Sequence, residues 1–363
     1  VVKEGTDRRS FAPLLLVAIA VAFNLWTLRA EVLPVQNLND AAIHASMVRW
    51  AEGRIRSGHL PLDGWYPNLS LGSSRFHHYQ TLPHVLTGAL SVAFGDRVFG
   101  WTLYLLLSSW PISVYLGGRL LDLDPWTAAV AALVSPLLVS SPGLGYEAGS
   151  YTWQGYGAWT QLWGMWLLPL AWGMTWRAVA KNGSLALGAL ILALTVAVHF
   201  MTGYLALLSL GVWVLVRPSE FPRRLWRAAV TAAGALLAAS WVLVPLLADA
   251  RWSPLDQYAR GTYFYDSFGA RRVLGWLFTG EIFDAGRLPV VTVLVGLGVV
   301  VAALRFRRDE RSRVLLGVGL LCLLLFFGRP TLGPALRLLP GGGDLFLRRY
   351  VFGVHMAGIL LAG

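Results

Sequence analysis

Phe11 to Leu28 reads FAPLLLVAIAVAFNLWTL, an uncharged run preceded by Lys3, Arg8 and Arg9. A helix needs about 17 to 25 mainly apolar residues to cross the hydrocarbon core of a bilayer, and this run has that length. The basic residues on its N-terminal side predict a cytoplasmic N-terminus. Leu28-Arg29-Ala30 is a poor signal-cleavage site, so the run reads as a retained first span.

Working outward, apolar runs recur at 98 to 118, 126 to 141, 158 to 176, 184 to 199, 203 to 216, 228 to 248, 288 to 304, 314 to 328 and from 350 onward. Together they predict an all-α, polytopic transmembrane helix bundle of about ten spans. His199, Thr202 and Gly203 interrupt the fifth and sixth runs, whose combined length exceeds one crossing. One transmembrane domain is expected over residues 1–363: a first span at 11–28, an outer loop at 29–97, further spans over 98–328, an outer loop at 329–349, and a last span from 350. The chain begins at Val1 rather than Met and stops at Gly363 inside an apolar run, so it reads as cut at one or both ends.

Composition agrees. The chain is 56% hydrophobic and only 13% charged, so the charged surface of a water-soluble protein is missing. A net charge of +11 raises the question of nucleic acid, but the Lys and Arg residues sit in short clusters between apolar runs. Half of the 30 lie in roughly 45 residues of the inner loops 1–10, 119–125, 177–183, 217–227 and 305–313, which is an orientation signal and not a nucleic-acid surface. The single cysteine, Cys322, lies in an apolar run and excludes an internal disulfide or a Cys-rich metal site.

The outer face then owns the long segments 29–97, 142–157, 249–287 and 329–349, so any chemistry is expected outside the cytoplasm. No internal repeat is visible, which weighs against a transporter built from inverted halves. The first outer loop opens with Gln36-Asn37-Leu38-Asn39-Asp40-Ala41-Ala42-Ile43-His44, followed by a helix-like pattern toward Ile55. Asn39 or Asp40 can cap that helix. Asp40 can also serve as a carboxylate that takes a proton from an acceptor hydroxyl. Further on, Asp63, Trp65, Tyr66, Arg75, Phe76, His77, His78 and Tyr79 form a rigid aromatic loop, either an interfacial belt or a binding surface. Adjacent His77 and His78 diverge on any regular element and lack metal-ligand spacing.

In the second outer loop Glu147 is the only charge among Tyr146, Tyr151, Trp153 and Tyr156, a composition suited to a sugar ring. His199 ends the fifth span, either as a satisfied helix-end residue or as part of the same cavity. The third loop mixes Arg251, Asp256, Tyr258, Arg260, Tyr263, Tyr265, Asp266, Arg271 and Arg272, and a guanidinium there suits phosphate. Arg348 and Arg349 stand at the outer mouth of the last span, as snorkelling anchors or as a phosphate or diphosphate clamp. Gly341 to Gly343 lacks the Lys and Ser/Thr spacing of a nucleotide loop.

The first span, the Asn39-Asp40 acid at the head of a long outer loop and the many later spans resemble the GT-C class of polytopic glycosyltransferases. Within it, Asn39 through Arg75-Phe76-His77-His78-Tyr79 to Pro83, with the late Arg348-Arg349-Tyr350, looks most like the membrane family called pyruvoyl-tetrahydropterin-synthase-related. The resemblance implies transfer of a sugar from a polyprenyl-phosphate donor to an extracytoplasmic glycan, lipid or protein acceptor at the plasma membrane. It implies Asp40 as catalytic base, and His44, His77, His78, Tyr79, Glu147, His199, Arg260, Arg348 and Arg349 as substrate-binding residues. It also implies a divalent cation, Mg or Mn, held by Asp40 and Glu147. The first two outer loops carry no Asp-Glu pair or Asp-x-Asp, a departure from several branches of the class. Two other readings stay open: a lipid or polyprenyl-carrier transporter or flippase, and a non-catalytic protein of envelope assembly.

Overall fold

The computed structural model describes residues 8–33, 39–69, 71–250 and 259–363. Gln36, Asn37, Leu38, Arg251, Asp256 and Tyr258 lie outside the described residues. The helices are α1 (Arg8–Thr27), α2 (Ala41–Arg56), α3 (Leu82–Phe94), α4 (Val98–Leu120), α5 (Pro125–Val134), α6 (Trp159–Ala180), α7 (Leu185–Val198) and α8 (Phe200–Leu215). They continue as α9 (Phe221–Ala238), α10 (Ser240–Ala248), α11 (Tyr263–Asp266), α12 (Ala270–Thr279), α13 (Val290–Arg305), α14 (Glu310–Phe327), α15 (Arg329–Leu332) and α16 (Val351–Ala362). Among the described residues β-structure is confined to two isolated bridges, Tyr66 with Ser73 and Val139 with Asp284.

Most apolar runs of the sequence fall on one helix, but 228–248 is divided between α9 and α10 and 126–141 is α-helical only to Val134; the segment 29–97 carries two more helices, α2 and α3. The core is built from α4, α6, α7 and α8 on one side and α14 and α16 on the other. Gly117 makes the α4–α6 approach possible: a Cβ there would stand 2.4 Å from Cβ of Pro169, so only a hydrogen fits. Helix α16 is buried along almost its whole length, Val351 to Leu360, against α13, α14 and α5. The fifth and sixth apolar runs are indeed two helices, joined through His199, whose extended backbone (φ −159°) turns the chain.

The outward faces are apolar. Leu15, Ile19, Phe23 and Trp26 on α1 are exposed, as are Val293, Leu297, Val300 and Leu304 on α13. Among the described residues no single helix is long and apolar enough to cross a membrane. Two bent pairs pass together, Phe200–Leu215 with Pro218–Ala238 at 99° and Glu310–Phe327 with Arg329–Leu338 at 91°.

The arginines that set the orientation signal also brace the ends of these helices. Arg224 is buried, with its guanidinium 3.0 Å from Glu220, 2.6 Å from Glu310 and donating to the Trp213 carbonyl at 3.0 Å. Arg177 and Lys181 both reach Asp122, at 3.5 and 3.3 Å.

Candidate active site

The site is assembled where the segments 29–97, 142–157 and 329–349 meet. Asn39 is the pin. Its amide nitrogen donates to the carbonyls of Thr152 (3.3 Å), Trp153 (2.9 Å) and Gly155 (2.8 Å), while its oxygen accepts the Ala41 N–H at 3.0 Å. The last bond is an Asx turn, so the local bond that opens α2 belongs to Asn39. Asp40, at the cap position, makes no side-chain capping bond. Its exposed carboxylate has no hydrogen bond or ion pair among the described residues. Glu31 adds a second grip, its carboxylate accepting the Trp153 N–H at 3.1 Å. Burial raises the pKa of Glu31, and that N–H partly offsets the rise.

This arrangement carries a prediction. Asn39→Ala removes four bonds, three of them between segments more than 100 residues apart, and is expected to cost about 2 to 3 kcal/mol. Gly157→Ala attacks the same joint, because Gly157 has φ +68° and a Cβ there would meet the Asn39 oxygen at 2.4 Å. Thermal unfolding in detergent checks both; unchanged melting would show that the two loops are held together elsewhere.

One face of α2 points His44 into a buried aromatic nest. His44 Nδ1 lies 3.0 Å from His84 Nε2, and both rings sit beside Trp159 (5.7 and 5.2 Å) and Tyr79 (6.1 and 5.8 Å). Burial pushes the His44 pKa down to about 3, and the positive charges of Arg75 and Arg349 push the same way. Burial, with His44 and Arg75, also lowers that of His84. Both rings are therefore neutral at physiological pH, one donating to the other.

Arg349 is half-buried and donates to the Gln161 side-chain oxygen at 3.1 Å. It lies within electrostatic reach of Tyr79, Asp40, Tyr151 and Arg348. His199 is within reach of Arg349 and His44, and its Nδ1 accepts the Thr202 N–H at 3.3 Å, capping α8. The fold thus brings Asp40, His44, Tyr79, His199 and Arg349 into one cluster. On a neighbouring face of α2, Ala45, Arg49 and Glu52 line a cavity of about 610 Å³ together with Glu31, Trp101 and Trp153. Asp40 stands at the head of this helix.

Other sequence candidates lie elsewhere. Arg348 is committed to the Pro142 carbonyl and to Tyr156 Oη (3.2 Å). His77 bridges Asp63 (3.2 Å) and Asp249 (3.1 Å), and His78 pairs with Ser74 at 3.1 Å. Arg260 is exposed in a turn. The Gly341–Gly343 run turns its carbonyls to a guanidinium, with Gly342 and Gly343 accepting from Arg329 at 2.9 and 3.1 Å.

Glu147 is buried behind the cluster. It accepts from Ser150 Oγ and the Gly145 N–H (3.3 Å), while its second oxygen stands 3.7 Å from His355 Nδ1 and has no hydrogen-bond partner. That nitrogen already accepts the Tyr146 N–H at 2.9 Å, and His355 Nε2 donates to the Ile282 carbonyl at 2.8 Å. His355 is thereby held as the Nε2–H tautomer and offers Glu147 no proton. Among the described residues no three His, Cys, Asp or Glu side chains converge on a point where a cation could sit. Asp40 is exposed, whereas Glu147 is enclosed by Ser150 and Gly145.

Burial raises the Glu147 pKa from 4.5 to about 7, against the opposing pull of Ser150, the loop N–H groups and Arg348. A carboxyl that binds its proton more tightly folded than unfolded favours the folded state below about pH 4.5. That advantage is lost as pH rises through about 7. Glu147→Gln is therefore expected to melt higher than the parent protein at pH 8, by at most about 3 kcal/mol, and level with it at pH 4.5. Parallel melting curves across that range would contradict the burial argument.

Sequence reading passed over His84, Gln161 and His355, and quoted Arg75 and Tyr151 without a role. His84 opens α3, 40 residues from its partner, and Gln161 opens a buried helix. No spacing connects either to Asp40.

Among solved structures, the chain is similar to the Archaeoglobus fulgidus oligosaccharyltransferase in its apo form, at 13% identity and TM-score 0.58, over 99% of this chain and 50% of that one. It is likewise similar to AglB from the same organism in complex with an inhibitory peptide and a dolichol-phosphate (14%, 0.59, 98% and 50%). A third similar structure is that oligosaccharyltransferase in complex with Zn and sulfate (13%, 0.56, 96% and 48%). The chain spans about half the length of these proteins, and at such identity the likeness is one of fold. No family model matches the sequence, and no curated protein does.

Proposed function

We propose that the chain is the membrane part of a GT-C-type glycosyltransferase, moving a sugar from a polyprenyl-phosphate-linked donor to an extracytoplasmic acceptor. The observation that carries this reading is an unbonded, exposed Asp40 carboxylate within electrostatic reach of the half-buried Arg349 guanidinium, in a fold similar to that of an oligosaccharyltransferase. In this reading Asp40 removes the proton of the acceptor nucleophile as it attacks the anomeric carbon. The bond from that carbon to the donor phosphate breaks, and Arg349 stabilises the charge left on the phosphate oxygens. His44, Tyr79 and His199 line the donor side, neutral and aromatic, suited to sugar hydroxyls and ring faces.

The ten apolar runs are the crossings of this proposal, with the N-terminus in the cytoplasm and the site outside the plasma membrane. The exposed apolar faces of α1 and α13 support it, since so much uncovered apolar surface belongs against lipid. The narrower likeness to the pyruvoyl-tetrahydropterin-synthase-related membrane family is part of the same proposal. The dolichol-phosphate and the peptide of the AglB complex support a polyprenyl-phosphate donor and a protein or glycan acceptor. The neighbour's Zn keeps a divalent cation in view, but the separate surroundings of Asp40 and Glu147 route no step through one.

The test is purified chain in detergent with a panel of radiolabelled polyprenyl-phosphate sugars, scoring donor binding and transfer to peptide, lipid and glycan acceptors. Transfer from any donor is the expected result. Binding without transfer across the panel would favour carrier transport.

A further inference from the structure

Arg75 sits in the short turn Arg75–His77 of the first outer loop, half-buried, with its guanidinium 4.6 Å from the centre of the Tyr79 ring. Among the described residues it makes no side-chain hydrogen bond or ion pair, and its Nε is buried with no partner at all. An Nε–H stripped of water and left without an acceptor is costly, so a guanidinium held this way is expected to meet an anion. Tyr79 Oη lies 3.3 Å from Thr160 Oγ1, and the next residue, Gln161, accepts the one side-chain hydrogen bond that Arg349, from the other end of the chain, makes among the described residues. Besides burial, the positive charges of Arg75 and Arg349 push the His44 pKa down, and His44, 3.0 Å from His84, carries no charge of its own. Of the other charged groups acting on Arg349, Arg348 adds a third positive charge and Asp40 is the only carboxylate. The cluster is positive overall, with the Arg75 guanidinium against the Tyr79 ring and the Arg349 guanidinium on Gln161, the residue that follows Tyr79's partner Thr160.

One phosphate is satisfied by one guanidinium fork; two phosphates in series need two. We propose that Arg75 is a specificity-determining residue of this site, and that with Arg349 it selects a lipid-diphosphate-linked sugar over a lipid-monophosphate-linked one. The proposal rests on the reading of Arg349 as a donor-phosphate residue. Arg75, held against the Tyr79 ring, takes one phosphate and Arg349 the other.

The test is calorimetric titration of the full chain in detergent with inorganic phosphate, inorganic pyrophosphate, farnesyl monophosphate and farnesyl diphosphate. Each is compared in the parent protein and in Arg75→Gln, Arg75→Lys and Arg349→Gln. The parent is expected to bind each diphosphate at least about tenfold tighter than its monophosphate, and farnesyl diphosphate tighter than free pyrophosphate. Arg75→Gln should bring the diphosphate preference to near one while leaving monophosphate binding intact, which also shows that the variant is folded. Arg75→Lys should keep part of the preference, and Arg349→Gln should weaken both classes. An unchanged preference in Arg75→Gln, with Arg349→Gln still damaging, overturns the role of Arg75 and leaves the phosphate site standing. Equal binding of pyrophosphate and farnesyl diphosphate overturns the lipid assignment. If no anion binds and Arg349→Gln changes nothing, the phosphate-site reading falls and this proposal with it.

Discussion

Asp40→Asn is expected to lower transfer by about 10²- to 10⁴-fold, the range that a positioned general base contributes, with no loss of thermal stability. Stability should hold because the carboxylate is exposed, makes no side-chain capping bond and has no hydrogen bond or ion pair among the described residues. The Asx turn that opens α2 uses Asn39 and is untouched. Donor binding should also survive, since Asp40 bears on the acceptor proton while the phosphate is assigned to arginine. Single-turnover transfer beside donor binding and melting, measured on parent and variant, separates these terms. Retained turnover would remove Asp40 from the mechanism. Lost turnover with lost melting would instead make Asp40 a structural residue, against the bonding just described.

Arg349→Gln is the second large effect, an expected fall in transfer of about 10²- to 10³-fold. Charge on the donor phosphate increases as the sugar–oxygen bond breaks, so the guanidinium binds the transition state more tightly than the ground state. The maximal rate should therefore fall by a larger factor than KM rises. The neighbouring substitution supplies the contrast. Arg348→Gln releases the Pro142 carbonyl and Tyr156, contacts that tie the final loop to the second one, so it is expected to cost about 1 to 2 kcal/mol of stability and little rate. Equal rate losses in both variants, with equal melting, would mean that the two arginines act on the phosphate together.

Part of the site was legible because it is local. Asp40 at the head of a helix-like pattern needs only neighbours in sequence, and α2 begins at Ala41. The assignment of the two arginines was not legible. Arg348 and Arg349 are adjacent, share a composition and differ only in which way the turn before α16 directs them: one to Pro142, the other to Gln161. Glu147 read as a lone carboxylate among rings suited to sugar, but the fold encloses it with Ser150, Gly145 and His355. A loop residue's exposure depends on the chain that covers it, which composition does not report.

By itself the sequence determined the helical class, the place of most apolar helices and an orientation signal, because apolar length and flanking charge act through the solvent and need no partner in the chain. Tertiary structure alone decided which outer residues share a site. Asn39 meets the loop at 152–155, His44 meets His84, and Arg349 comes within reach of Asp40 from more than 300 residues away. Hydrogen bonds and charge act over a few ångströms, and only packing of the helices beneath the loops brings such distant residues within that range.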